Sequence, residues 1–150
     1  MGFAWLDADA PFSNYGGHDR TIILIEGPGF TLDFGPSHPA LVARRPYVPS
    51  AFDGGWVVRC RVPDGRCTVL NAMTARATRT HSVTVSPASE LAAPAPGGVA
   101  LLVVLEGRVA IDGQTAGPRD TFRIADTTTI HTGADARAAL IRIDPLRPGV

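Results

Sequence analysis

The segment PFSNYGGHDRTIILIEGPGF, residues 11–30, sets Asp19, Arg20 and Glu26 at the two ends of the apolar run Ile22–Ile25. Two readings of Asp19 and Arg20 stand side by side: an ion pair that pins a turn, or the polar edge of a binding cavity. Glu26 has a carboxylate able to move protons if its surroundings shift its pKa towards neutrality. An ion site requires several histidines and carboxylates converging on one point. His18, His38, His81 and His131 each lack a second histidine nearby, so no metal and no cofactor is expected. All 14 basic residues are arginine, which excludes Schiff-base lysines and phosphate-loop lysines. No GxSxG elbow is present, and neither cysteine neighbours a histidine. Cys60 and Cys67 flank the turn VPDGR; a hairpin closed there puts Val62 opposite Cys67, which aligns the cysteines poorly for a disulfide.

The elements that must position these groups are strands. Runs such as TIILI, FTLDF, WVVRCRV, HSVTV, ALLVVLEG, RVAID, TFRI and AALIRI recur between Gly, Pro and Asp punctuation, which is an all-β pattern. Phe30, Leu32 and Phe34 alternate with Thr31 and Asp33, and Trp56, Val58, Cys60 and Val62 alternate with Val57, Arg59 and Arg61. Each of these strands therefore buries one face. The stretch PASELAA could form a turn or two of helix, and the Pro/Ala/Gly-rich residues 86–98 are expected to be a connection. IILIEGPGFTLDF aligns with LVVLEGRVAIDG, with Glu26 and Glu106 at matching positions. This suggests a duplicated hairpin, GPGF being one of its turns, although two short hairpins can also resemble each other by chance.

At 150 residues the chain is one domain long, with 14 acidic residues against its 14 arginines and a pI near 6.9. That balance lacks the positive footprint needed for nucleic acid or an anionic membrane. The apolar stretch Val99–Leu105 is far shorter than the roughly 20 residues of a membrane span, and Met1–Ala10 lacks a signal peptide's pattern. A soluble, cytoplasmic protein is expected.

Three blocks, PFSNYGGHDRTIILIEGPGF, FDGGWVVRCRVPDGRCTVLNAMTARA and VVLEGRVAIDG, in that order, resemble the HutD/Ves family of cupin-like proteins. The resemblance implies a cupin-like jelly-roll barrel, with a bicupin-type duplication consistent with the EG repeat. It also implies a role in binding or sensing a pathway intermediate, such as formylglutamate in histidine utilisation. It marks Phe12, Ser13, Asp19, Arg20, Glu26, Gly27, Phe52, Asp53, Gly54, Asn71, Met73, Thr74 and Arg76. The chain departs from the family pattern at Gly16, where proline is usual, at Val69, where an acid is usual, and at Ala75, where an arginine is usual. Its start is also shorter, with Trp5 close to Pro11.

On this reading the barrel mouth collects Asp19, Arg20, Asn71, Arg76 and His81 as ligand-binding residues, with Asp53 beside them. Asn71 and Arg76 are expected close together on the interior. Arginine can hold a carboxylate by two parallel hydrogen bonds, and asparagine offers both a donor and an acceptor. The group therefore suits a small acidic or amide-bearing ligand. Two functions share this pocket: a metal-independent small-molecule binder that modulates a metabolic pathway, and a metal-free isomerase, cyclase or dehydratase. The catalytic candidates for the second are Glu26, Asp53, Cys60 and His81. A third reading is an interaction protein whose apolar barrel edge pairs with a second copy as a homodimer.

Overall fold

The computed structural model describes residues 1–87, 96–124, 130–132 and 135–146. The described residues contain strands and no helix, and no helix is long and apolar enough to cross a membrane. Two compact units divide at Ala77/Thr78. The boundary lies ahead of the stretch expected as a connection, residues 86–98, most of which is outside the described residues, as is PASELAA beyond Pro87.

Eight strands build the first unit: β1 (Gly2–Leu6), β2 (Ala10–Pro11), β3 (His18–Glu26), β4 (Phe30–Asp33), β5 (Leu41–Ala43), β6 (Ser50–Asp53), β7 (Arg59–Arg61) and β8 (Cys67–Ala75). They form two antiparallel sheets, of order β1-β8-β3-β6 and β2-β7-β4-β5. Ile22, Leu24, Cys67 and Val69 from the first sheet share one core with Phe30, Leu32 and Cys60 from the second. The expected alternation holds: Phe30, Leu32 and Phe34 are buried, as are Val58, Cys60 and Val62, while Val57 is 86% exposed. The run Ile22–Leu24 is continuous rather than alternating because Ile23, which has the opposite side-chain direction, is buried as well.

The second unit contains β9 (Arg79–Pro87), β10 (Val99–Glu106), β11 (Val109–Ile111), β12 (Gln114–Ala116), β13 (Thr121–Ile124), β14 (Ile130–Thr132) and β15 (Arg137–Pro145). Its sheets run β13-β10-β15-β9 and β12-β11-β14. Leu102, Val104 and Leu140 share a core with Val109, Ile111 and Ala116. Written β9-β15-β10-β13 and β14-β11-β12, these orders repeat β1-β8-β3-β6 and β7-β4-β5 of the first unit.

The two EG positions coincide in detail. The β3–β8 register shifts between Leu24 and Glu26, and the β10–β15 register shifts between Val104 and Glu106, an extra residue before each glutamate. Gly27 and Gly107 follow with φ of +111° and +70°. A Cβ at Gly27 would lie 2.5 Å from the Arg66 carbonyl oxygen, and one at Gly107 would lie 2.9 Å from Ala136 Cα. Only glycine fits both the backbone angle and the space.

Two local expectations are corrected. GPGF is not a hairpin turn, since β3 and β4 lie in different sheets and the EG corner carries the chain from one to the other. VPDGR likewise joins β7 and β8 in different sheets, so Val62 does not pair with Cys67; both cysteines are free and buried.

Candidate functional site

A cavity of about 580 Å³ lies in the first unit, against β1, β2, β3 and β8. Arg20 from β3 and Asn71 from β8 meet in its wall. Ile22 pairs with Asn71, and Arg20 with Met73, in the β3–β8 ladder. Period-two geometry gives Arg20 the direction of Ile22 and Leu24, and gives Asn71 the direction of Cys67 and Val69, all of them core residues. The same alternation that builds the core thus turns two polar side chains inward.

Arg20 is 4% exposed. It donates from Nη1 to the Ser13 carbonyl at 2.9 Å and from Nη2 to Asn71 Oδ1 at 3.2 Å. Its guanidinium carbon stands 4.7 Å from the Phe12 ring centroid, 5.2 Å from Tyr15 and 5.0 Å from Phe52. These distances are within cation–π range. Nε is buried with no hydrogen-bond partner, and among the described residues no carboxylate pairs with the side chain. Burial lowers the pKa of Arg20, and the neighbouring Tyr15 acts in the opposite direction. A guanidinium stays protonated in proteins, so the cavity wall holds a largely desolvated positive charge without a counter-ion.

Arg76 is placed elsewhere. It is not in the cavity wall but half-exposed, where Nε donates to Asp19 Oδ1 and Nη2 lies 2.7 Å from Asp53 Oδ2. Asp19 thus pairs with Arg76 and not with its neighbour Arg20. The reason is parity and position: Asp19 faces opposite to Arg20 on β3, and Arg76 follows the last residue of β8. The Gly55 backbone N–H and the Arg76 guanidinium hold the Asp53 carboxyl below the usual carboxylate range. Bonds to Asp19 and Asp53 raise Arg76. His81 sits opposite Ile143 on β9, in the second unit.

A HutD family model matches residues 1–142. The chain belongs to the HutD family. No curated protein matches it. Two solved structures share the fold. A conserved protein of unknown function from Pseudomonas aeruginosa PAO1 superposes with a TM-score of 0.77 at 20% identity, covering 96% of this chain and 80% of that one. HutD from Pseudomonas fluorescens SBW25, solved in a formate condition, superposes with a TM-score of 0.71 at 21% identity, covering 97% and 78%.

Within the first unit of this HutD chain the catalytic candidates Glu26, Asp53 and Cys60 do not form one cluster. Glu26 is exposed at the end of β3, and Asp53 belongs to the Arg76 cluster. Cys60 lines the cavity, but burial, with Asp9 and Cys67 adding to it, pushes its thiol up to about 11. That leaves it protonated at neutral pH and a poor nucleophile. Among the described residues no three His, Cys, Asp or Glu side chains gather at one point. Sequence reasoning missed two contributors. The β1 segment FAWL lines the cavity, its apolar run near the start being the available signal. Tyr15, set in a glycine-rich turn, places its ring over Arg20.

Proposed function

We propose that this HutD-family chain is a metal-independent small-molecule-binding cupin, whose first unit captures an acidic ligand at Arg20 and Asn71 and so senses or modulates a metabolic pathway. The observation that carries this is the buried Arg20, which lines a cavity with no carboxylate partner of its own. A ligand carboxylate supplies the missing counter-charge. Asn71 accepts from Arg20 through Oδ1, which leaves its amide nitrogen as a second donor.

The reading includes a jelly roll in duplicate. It is supported by the strand orders β1-β8-β3-β6 and β2-β7-β4-β5, by their repetition after Thr78, and by the matching bulges before Glu26 and Glu106. Aligning the two ladders at those bulges sets Ala100 at the position of Arg20 and Leu140 at that of Asn71. Both are buried core residues, so the duplicated half lacks the polar pair and binding is assigned to the first unit.

The test is calorimetric titration of octanoate and octanamide into the native protein and Arg20→Gln. A charge-assisted contact contributes about 1.5–3 kcal/mol. Native protein should therefore favour the acid by roughly 10- to 150-fold, and the variant should lose the preference. Equal affinity for acid and amide in the native protein would reject the site.

A further inference from the structure

Met73 stands directly across the β3–β8 ladder from Arg20. Directly opposed residues of an antiparallel pair share a face, with their Cβ atoms about 4.5–5.5 Å apart. Met73 therefore projects to the same side as Arg20 and Asn71, and all three line the cavity. Met73 is only partly buried, so solvent in the cavity reaches its side chain. Arg20 Nε, in contrast, is buried with no hydrogen-bond partner among the described residues. The thioether opposite it is a weak acceptor that does little for such a donor. The other methionine of the chain, Met1, also lines the cavity and is 42% exposed.

From this juxtaposition, and resting on the acidic-ligand site proposed above, we infer that Met73 is a redox modification site: hydrogen peroxide converts it to the sulfoxide, whose oxygen accepts from Arg20 and closes the site to carboxylates. In the step a sulfur lone pair attacks one peroxide oxygen and the O–O bond breaks. The proton of the transferred oxygen joins the departing hydroxide, which leaves as water. Sulfur is oxidised by two electrons and the peroxide is reduced by two, so no protein base and no further reactant is needed. The product is polar where the thioether was apolar, and methionine sulfoxide reductases reverse it. Its oxygen engages donors that a ligand carboxylate would use and takes up space beside them. Arg20 thus passes from an uncompensated cation awaiting a ligand to one served by its cross-strand neighbour.

Calorimetric titration of octanoate and octanamide into native protein and Met73→Leu, each before and after limited hydrogen peroxide treatment, separates this inference from the reading beneath it. Peptide mass spectrometry locates the added oxygen. Leucine keeps the volume and apolar character of methionine without its sulfur. Untreated Met73→Gln is titrated as well, because its amide oxygen supplies an acceptor in the place of the sulfoxide without any oxidation. Peroxide should add one oxygen at Met73 and weaken octanoate at least about tenfold in the native protein. Treated and untreated Met73→Leu should bind octanoate alike, although Met1 is still open to oxidation there. Met73→Gln should bind octanoate as weakly as the oxidised native protein. Undiminished octanoate affinity in native protein oxidised at Met73, or in Met73→Gln, overturns the inference and leaves the Arg20 site standing. So does a Met73 thioether that survives while Met1 is oxidised, or an equal loss on treating Met73→Leu. Octanoate no tighter than octanamide in untreated native protein overturns the Arg20 site and the inference with it.

Discussion

Two substitutions at Asn71 should move stability in opposite directions while both remove acid binding. Asn71 is 8% exposed, and its Oδ1 accepts from Arg20 Nη2 at 3.2 Å. Asn71→Leu copies Leu140, the residue at the corresponding ladder position of the second unit. It leaves a buried charged donor without its partner, at a cost of about 2–3 kcal/mol. The new side chain recovers about 1 kcal/mol by apolar contact. The net loss of about 1–2 kcal/mol lowers Tm by about 2–8 °C in a chain of this size. Asn71→Asp instead gives Arg20 a carboxylate partner. Arg20 is already desolvated in the native fold, so only the new carboxylate's desolvation opposes a charge-assisted bond about twice as strong as a neutral one. A net gain of about 1 kcal/mol raises Tm by about 2–4 °C at neutral pH. Differential scanning calorimetry of the three proteins reads the stabilities, and octanoate titration reads the site. Should Asn71→Asp destabilise as much as Asn71→Leu, or still bind octanoate with native affinity, Arg20 is not an uncompensated cation and the reasoning fails.

Three further outcomes follow from the geometry. Gly27→Ala and Gly107→Ala should each cost about 1–3 kcal/mol in urea unfolding, because each combines a positive φ with a backbone atom closer than 3.0 Å to the added carbon; a neutral result at either would contradict the corner geometry. Asp53 has a folded pKa below its unfolded value, so its contribution is present above about pH 4 and is lost as the pH falls through the folded value; Arg76→Gln should flatten this acid limb, and an unaltered acid titration would discount the cluster. Cys60 has the opposite sign: its raised thiol pKa gives stability that is present below about 9 and is lost as the pH rises through about 11. Cys60→Ala should therefore show a shallower alkaline slope in the same unfolding assay.

By itself the sequence determined the all-β class, since the alternation at Phe30, Leu32 and Phe34 and at Val58, Cys60 and Val62 is a local property of a half-buried strand. It also displayed the EG repeat, whose two copies share a bulge and a left-handed glycine. Sheet membership was not legible there, because a corner between sheets and a hairpin within one sheet use the same glycine-rich punctuation, and only long-range pairing separates them. Asn71 was marked without its strand: CTVLNAMTA mixes Asn, Thr and Met into a segment buried on both faces, which erases the period-two signal. For the site, Arg20 shares parity with Ile22 and Leu24, but the apolar run Ile22–Ile25 hides which face looks into the core. Arg20 and Arg76 are chemically identical in the sequence. Tertiary structure alone placed one inside, among Phe12, Tyr15 and Phe52, and the other outside against Asp19 and Asp53, because those contacts join residues up to 57 positions apart and no local pattern encodes them.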